Sequence, residues 1–253
     1  MEGKILLIDL ETSPLEAYSW GPKWETNLIE IIEQSKILSY SAKWLGKKEH
    51  ITKGWPDYKG YRAGFLNDKN IVKDIWNLLD EADIVVAQNG KSFDIRVMNT
   101  RFLYHGLGPT SPYRVVDPKV EAKRYLRLPS NSLDDVCDYF GIGRKMEHEG
   151  FGLWLKCIEG DMDAWKRMLK YNKHDVVLME QVYKLLLPFM KTHPNMSAYS
   201  KPSTCPKCGS RNLVRRGVQQ NNTTSYHRIF CNDCRGWCRA TVNLQESKPL
   251  TSI

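Results

Sequence analysis

The sequence predicts an α/β fold, a mixed sheet with helices on both faces, followed by a small metal-bound ribbon. Three observations carry that reading. Residues 5–8 form an unbroken apolar run that leads into two acids, Asp9 and Glu11, as a strand buried on both faces of a sheet does. Strand-like and helix-like periodicities then follow one another as far as residue 190, the pattern of a layered α/β domain. Two C-x-x-C pairs, Cys205/Cys208 and Cys231/Cys234, stand beyond it. The spacing C-x2-C, 22 residues, C-x2-C predicts a tetrahedral zinc site, because each short loop aims two sulfurs at one ion.

The composition supports a globular body with a charged appendage. At 253 residues and 42% hydrophobic content, the chain can hold one large domain plus a small one. No apolar run approaches the roughly 20 residues that span a bilayer, and the N-terminus lacks the regions of a signal peptide. The expectation is a cytoplasmic protein without membrane contact, in the host cytoplasm if phage-encoded. In that reducing setting the paired cysteines read as metal ligands rather than disulfides. Residues 1–190 carry 27 Lys/Arg against 27 Asp/Glu, whereas residues 191–253 carry 10 against 2. The whole excess charge therefore lies in the tail, as in a module that meets polyanions. The expected domains are a body at 1–190, a linker at 191–204 rich in Pro, Ser, Thr and Asn, and a basic ribbon at 205–253.

The elements follow in order. After the first strand, residues 37–45 and 49–55 read as strands joined by a turn at Gly46-Lys47-Lys48, which predicts an antiparallel meander. Residues 70–82 show a helical stripe of Ile71, Val72, Ile75, Leu78 and Leu79. Residues 83–87 are a short buried strand ending in the turn Gln88-Asn89-Gly90. A helix at 93–104 carries Asp94 in its first turn, where the helix dipole favours an acid. A fifth strand at 114–117 leads to a helix beginning at Pro118. Residues 132–140 form a helix with a serine cap, closed at Gly141. The charged loop 144–150 reads as solvated surface. Residues 161–190 carry one long helical pattern that closes the body.

Chemistry enters with the acids. Asp9 and Glu11, two apart on a strand, point the same way. At the end of a buried strand such a pair is costly unless a cation sits between them. In the last helix Tyr171 and Asp175, four apart, share a face. Hard oxygen ligands favour magnesium or manganese.

Taken together, the ordered set of Asp9 and Glu11, the segment Asn89 to Asp94, and Tyr171 with Asp175 resembles the DEDD superfamily of 3′–5′ exonucleases. The nearest likeness is to the exonuclease domain of family B DNA polymerases and its stand-alone phage and bacterial relatives. The resemblance covers residues 1–190 and implies a ribonuclease H-like fold. Tyr171 stands where the tyrosine branch has its catalytic tyrosine, and position 170 is Lys170 rather than the histidine of the other branch. The resemblance further implies two Mg2+ or Mn2+ ions held by Asp9, Glu11, Asp94 and Asp175. Asp9 would bridge them, Asp94 would support the second, and Tyr171 would orient the attacking water. Asn89 and Phe93 would touch the terminal nucleotide; as residues alone they read equally as a turn residue and a core residue.

The ribbon is not part of that family pattern. Its Arg211, Arg215, Arg216 and Arg228 alternate with Tyr226, His227 and Phe230, which suits a nucleic-acid face. A docking surface for a replication or recombination protein is the alternative. The function expected is 3′–5′ exonucleolysis of DNA to nucleoside 5′-monophosphates, with an exoribonuclease or a non-catalytic binding protein as rivals. DNA stands ahead of RNA as partner.

Overall fold

The structure is a computed structural model describing residues 3–21, 27–65, 67–199 and 203–245. Its elements in chain order are β1 (Ile5–Thr12), β2 (Glu16–Ser19), β3 (Leu28–Glu33), β4 (Ile37–Trp44), β5 (Ile51–Gly54), α1 (Lys69–Glu81), β6 (Ile84–Val86), α2 (Asp94–Tyr104), β7 (Arg114–Val116), α3 (Pro118–Tyr125), α4 (Leu133–Tyr139), α5 (Phe151–Glu159) and α6 (Met162–Leu186). The ribbon adds β8 (Leu213–Gln220), β9 (Ser225–Cys231) and β10 (Trp237–Arg239).

The main sheet has the order β5-β4-β1-β6-β7, so the first strand of the chain is its centre. β1 runs antiparallel to β4, and β4 antiparallel to β5, which is the predicted meander. On its other side β1 pairs in parallel with β6, and β6 with β7. Parallel neighbours need crossovers, and α1 and α2 supply them.

Alternation along β1 divides the core in two. Leu6, Ile8 and Leu10 pack into one cluster with Ile71, Ile75 and Leu79 of α1, Met98 of α2 and Trp165 of α6. Ile5 and Leu7 face the other cluster, with Val136 of α4 and Val176, Met179 and Val182 of α6. Asp9 and Glu11 continue the Ile5–Leu7 series by strand parity, so they emerge on the face that α6 covers. The mixed sheet with helices on both sides is the predicted architecture.

A buried ion pair ties the first layer together. Asp68, fully buried, accepts from Arg101 Nε at 2.7 Å and Nη2 at 2.6 Å, and from the Ile37 backbone N–H at 3.1 Å. One carboxylate thus fixes α2 against the start of β4. Losing one partner of such a pair leaves an uncompensated buried charge, at about 3–5 kcal/mol.

Two elements depart from the sequence-based expectation. A hairpin of β2 and β3 intervenes before the meander. Its Leu28, Ile29, Ile31 and Ile32 are all exposed, so neither face buries and no period-2 signal marks it. α5, for which the sequence sets no boundaries, is preceded at its N-cap by Gly150, whose φ of 67° belongs to the left-handed region that glycine tolerates. The 191–204 segment, as far as it is described, is also packed. Met196 is buried in the second core cluster and its N–H donates to the Pro206 carbonyl at 2.8 Å. Among the described residues no helix is long and apolar enough to cross a membrane.

Candidate active site

β1 delivers the first two acids. Asp9, Glu11 and Asp175 bring one carboxylate oxygen each within 4.8 Å of one another, as the sequence predicts. Asp94 stands beside them. Its Oδ1 accepts from the Leu10 N–H at 3.3 Å, so the first turn of α2 is hydrogen-bonded to the strand that carries Asp9 and Glu11.

The turn before α2 explains how Asp94 gets there. Asn89 adopts φ 60°, a left-handed conformation that asparagine tolerates. At Gly90 a Cβ would lie 2.3 Å from the Ala87 Cβ, so only glycine fits. Asp117, buried at the start of α3, accepts from Asn89 N–H at 2.9 Å and Lys91 N–H at 3.3 Å while capping its own helix. Sequence reasoning misses this carboxylate. Phe93 is 43% exposed, so it is not the core residue that one reading allows.

α6 supplies the remaining side. Tyr171 and Asp175 do share a face, and between them Asn172 is fully buried. Asn172 Nδ2 donates to Asp9 Oδ2 at 2.6 Å, and its Oδ1 accepts from Ser39 Oγ at 3.2 Å. That orients the Asp9 carboxylate from β4 and α6 at once.

The 144–150 loop corrects the sequence-based expectation of a solvated surface, because Lys145 reaches into the site. Its Nζ lies 2.5 Å from Asp175 Oδ2 and donates to the Tyr171 hydroxyl at 3.1 Å. Lys145 N–H is anchored on Asp134 Oδ1 at 2.7 Å. His174 Nε2, 2.9 Å from the Arg144 carbonyl, holds the loop from α6, so this histidine is a tether and not a ligand. His148 and Trp154 set their rings edge-on to Tyr171 at centroid distances of 4.8 and 6.2 Å. No sequence signal marks Lys145, because a lysine in a run of mixed charge carries no periodicity.

Electrostatics follow from crowding. Burial, and then the charges of Glu11, Asp94 and Asp175, hold the Asp9 carboxyl well above the usual carboxylate range. Burial and Asp175 push Glu11 up to about 8. Burial raises Asp94 to about 7 and raises Asp175 against the pull of Lys145. Tyr171 is pushed up to about 12 by burial and Asp175, so its hydroxyl keeps its proton. Asp175 Oδ1 is buried without a hydrogen-bond partner. A bare carboxylate oxygen facing two more acids is a donor set that fits a hard divalent cation.

In the ribbon, Cys205, Cys208, Cys231 and Cys234 form the second candidate metal group. Their thiols are free, with Sγ–Sγ distances of 3.7 Å for Cys205–Cys234 and 3.6 Å for Cys208–Cys231. A tetrahedron with Zn–S near 2.3 Å has edges of about 3.8 Å, so the donor set fits zinc. Arg215, Arg216 and Arg228 lie exposed on β8 and β9, and Arg211 is exposed just before β8.

A family model described as the RNase_H superfamily matches residues 47–187. The match runs through Asp94, Tyr171 and Asp175, and the structure adds Asp9 and Glu11 by placing β1 at the centre of the sheet. No curated protein matches the chain.

Proposed function

Since the chain belongs to the RNase_H superfamily, a superfamily of nuclease-type folds acting on nucleic acid with divalent metals, we propose that it is a metal-dependent 3′–5′ exonuclease of the DEDD tyrosine branch that degrades DNA to nucleoside 5′-monophosphates. The observation that carries this reading is the meeting of Asp9, Glu11 and Asp175 with Asp94 alongside and Tyr171 one helical turn from Asp175. A purely structural protein has no use for three crowded carboxylates and an unpartnered Asp175 Oδ1.

Asp9, Glu11, Asp94 and Asp175 would hold two Mg2+ or Mn2+ ions, which when bound would activate water at neutral pH and stabilise the charge of the leaving 3′ oxygen. The protein's own groups do the rest. Asn172 fixes the Asp9 carboxylate, and the Leu10 N–H fixes Asp94. Lys145 favours the ionised form of Asp175 against the effect of burial and, through its bond to the Tyr171 oxygen, holds that hydroxyl where it orients the attacking water. The exposed Phe93 ring beside Asp94 packs on the terminal base, and Asn89 contacts the same nucleotide. Because Glu11 and Asp94 carry raised pKa values without metal, loading the site releases protons. The four cysteines would hold one structural zinc ion, so that residues 205–253 act as a ribbon attached to a body at 1–190.

The test is a time course on 5′-labelled single- and double-stranded DNA and RNA with magnesium or manganese. A one-nucleotide ladder receding from the 3′ end of DNA is the expected result. A ladder on RNA alone makes the protein an exoribonuclease of the same fold, and cleavage at internal positions overturns the exonuclease reading.

A further inference from the structure

The ribbon sheet sorts its side chains by strand parity. Along β9, Tyr226, Arg228 and Phe230 alternate with His227 and Ile229, and so occupy one face. In the antiparallel register Trp237 stands opposite Phe230, and Arg239 opposite Arg228, so both join that face. β8 is bulged between Arg215 and Val218, and Arg216 in that irregularity sets its guanidinium over the Phe230 ring at 4.9 Å. Arg228 lies over Trp237 at 5.1 Å and Arg239 over Tyr226 at 3.9 Å. Phe230 and Trp237 touch each other at 5.0 Å between ring centroids. The result is a checkerboard of three guanidiniums and three rings. Arg215 is left off it, because it pairs with Ile229, and Arg211 lies outside the strands.

Stabilising the ribbon accounts for only part of this face: Arg228 Nε donates to the Arg216 carbonyl at 2.9 Å. Arg216, Arg228 and Arg239 are exposed and Trp237 is 46% exposed. Among the described residues none of the three arginines has an ion pair to a carboxylate. The one described acid of the ribbon, Asp233, is engaged by Ser210 and Asn212 instead. Three unneutralised charges around open rings favour a polyanion that also brings flat apolar faces. A duplex hides its base faces and offers only phosphates to such a sheet. A single strand offers both.

We propose that the Arg216/Arg228/Arg239 and Tyr226/Phe230/Trp237 face of the ribbon is a binding platform for single-stranded nucleic acid, with bases stacking on the rings and phosphates meeting the guanidiniums. Backbone contacts of this kind carry no base code, so binding is sequence-tolerant. The inference stands on the ribbon alone and does not depend on the body's cleavage chemistry.

The experiment uses the full chain carrying Asp9→Asn, so that the probe survives, and follows fluorescence anisotropy of a labelled 20-mer oligothymidylate, a duplex of equal length, and heparin. The expected result is preference for the single strand. Trp237→Ala should weaken single-strand binding about tenfold, the effect of removing one stacking ring, with duplex and heparin affinity unchanged. Replacing Arg216, Arg228 and Arg239 together by Gln should flatten the log–log salt dependence by roughly 2, at about 0.7 per phosphate contact on single strands. Zinc stoichiometry checks that each ribbon is folded. If Trp237→Ala loses its zinc, Tyr226→Ala takes its place and is judged by the same criteria. Equal losses on oligothymidylate, duplex and heparin, or no loss on any, overturn the platform. In the second case a protein partner becomes the occupant of this face. A ladder assay on the unmutated protein reports on the body independently, so failure of one reading leaves the other standing.

Discussion

The body and the ribbon each gather like-charged ligands around one centre, but they are supported in opposite ways. Asp9, Glu11, Asp94 and Asp175 sit on a sheet with two extensive apolar clusters behind it. The body therefore folds with its acids crowded, and Lys145, 2.5 Å from Asp175, neutralises part of the crowd. The ribbon has scarcely any core of its own. Most of β8 is exposed, and Cys205 and Cys231 are among its few buried side chains. In the body, apolar burial is available to offset the cost of the crowded acids. In the ribbon, with so little core, a zinc ion on the four cysteines would have to supply much of the folding energy.

Asp9→Asn tests the first half of that contrast at its largest expected effect. The substitution keeps the Asn172 contact within reach and removes one charge from the cluster. Turnover should fall by more than about 10³-fold, beyond the 10²–10³ lost with a single electrostatic stabiliser. Thermal stability in the absence of metal should hold or rise, because repulsion is relieved. An Asp9→Asn protein that melts well below wild type would mean that the acid supports the fold.

Tyr171→Phe comes next. It removes the hydroxyl that Lys145 grips at 3.1 Å and leaves the ring against His148 and Trp154. A positioned group that acts on the water is worth about 10²–10⁴ in rate, and the low end is expected here because Asp175 stays in place. Single-turnover rates are compared with oligonucleotide affinity: a slow mutant with unchanged binding supports the assignment, and weak binding with normal turnover makes Tyr171 a packing residue.

The parts of this contrast that are legible in the sequence are those with a period or a fixed spacing. Strand parity puts Asp9 with Glu11, helical spacing puts Tyr171 with Asp175, and the paired C-x-x-C loops aim four sulfurs at one point. Lys145, Asn172 and Asp117 are not legible, because each acts through a long-range contact that only the folded chain makes. Asn172 meets Asp9 across 163 residues of sequence, and no local pattern encodes such a meeting. The β2–β3 hairpin escapes for a different reason, since its apolar residues are exposed and leave no inside to alternate against.

A smaller effect sharpens the electrostatic side. Without metal, Glu11 titrates at about 8 and Asp94 at about 7, both raised first by burial, whereas the unfolded chain has ordinary carboxyls. Between pH 7 and 9 the folded state releases protons that the unfolded state has already lost, so stability falls as pH rises. His193, held at about 4 by burial, is neutral in the folded state across this window, and the unfolded imidazole, about a quarter charged at pH 7, opposes the trend by only about 0.2 kcal/mol. Lys145 is raised above its ordinary value, so it stays charged throughout. The metal-free unfolding free energy from urea titration should therefore be lower at pH 9 than at pH 7, by about 1 kcal/mol after allowing for solvent screening of the acids, with a lower midpoint. Saturating magnesium should close the gap. A higher metal-free midpoint at pH 9 would show that the acids are less crowded than their positions imply.

The smallest effect concerns the seam between the two regions. Lys207 lies between the first two cysteines of the zinc site, and its Nζ donates to the Pro188 carbonyl just beyond the end of α6. Cys208 and Cys234 pack against the body's second core cluster. A cation near a helix C-terminus with a hydrogen bond to a carbonyl is worth about 1 kcal/mol, so the first cysteine loop also ties down the chain just past the helix that carries Asp175. Lys207→Met keeps the aliphatic stem and deletes the charge. The body's melting midpoint should drop by roughly 2–4 °C, the shift that about 1 kcal/mol gives in a domain of this size, with zinc content unchanged. Two independent regions joined by a slack linker would leave the midpoint where it was. A measured drop instead means that the first cysteine loop and α6, which carries Tyr171 and Asp175, are coupled through Lys207.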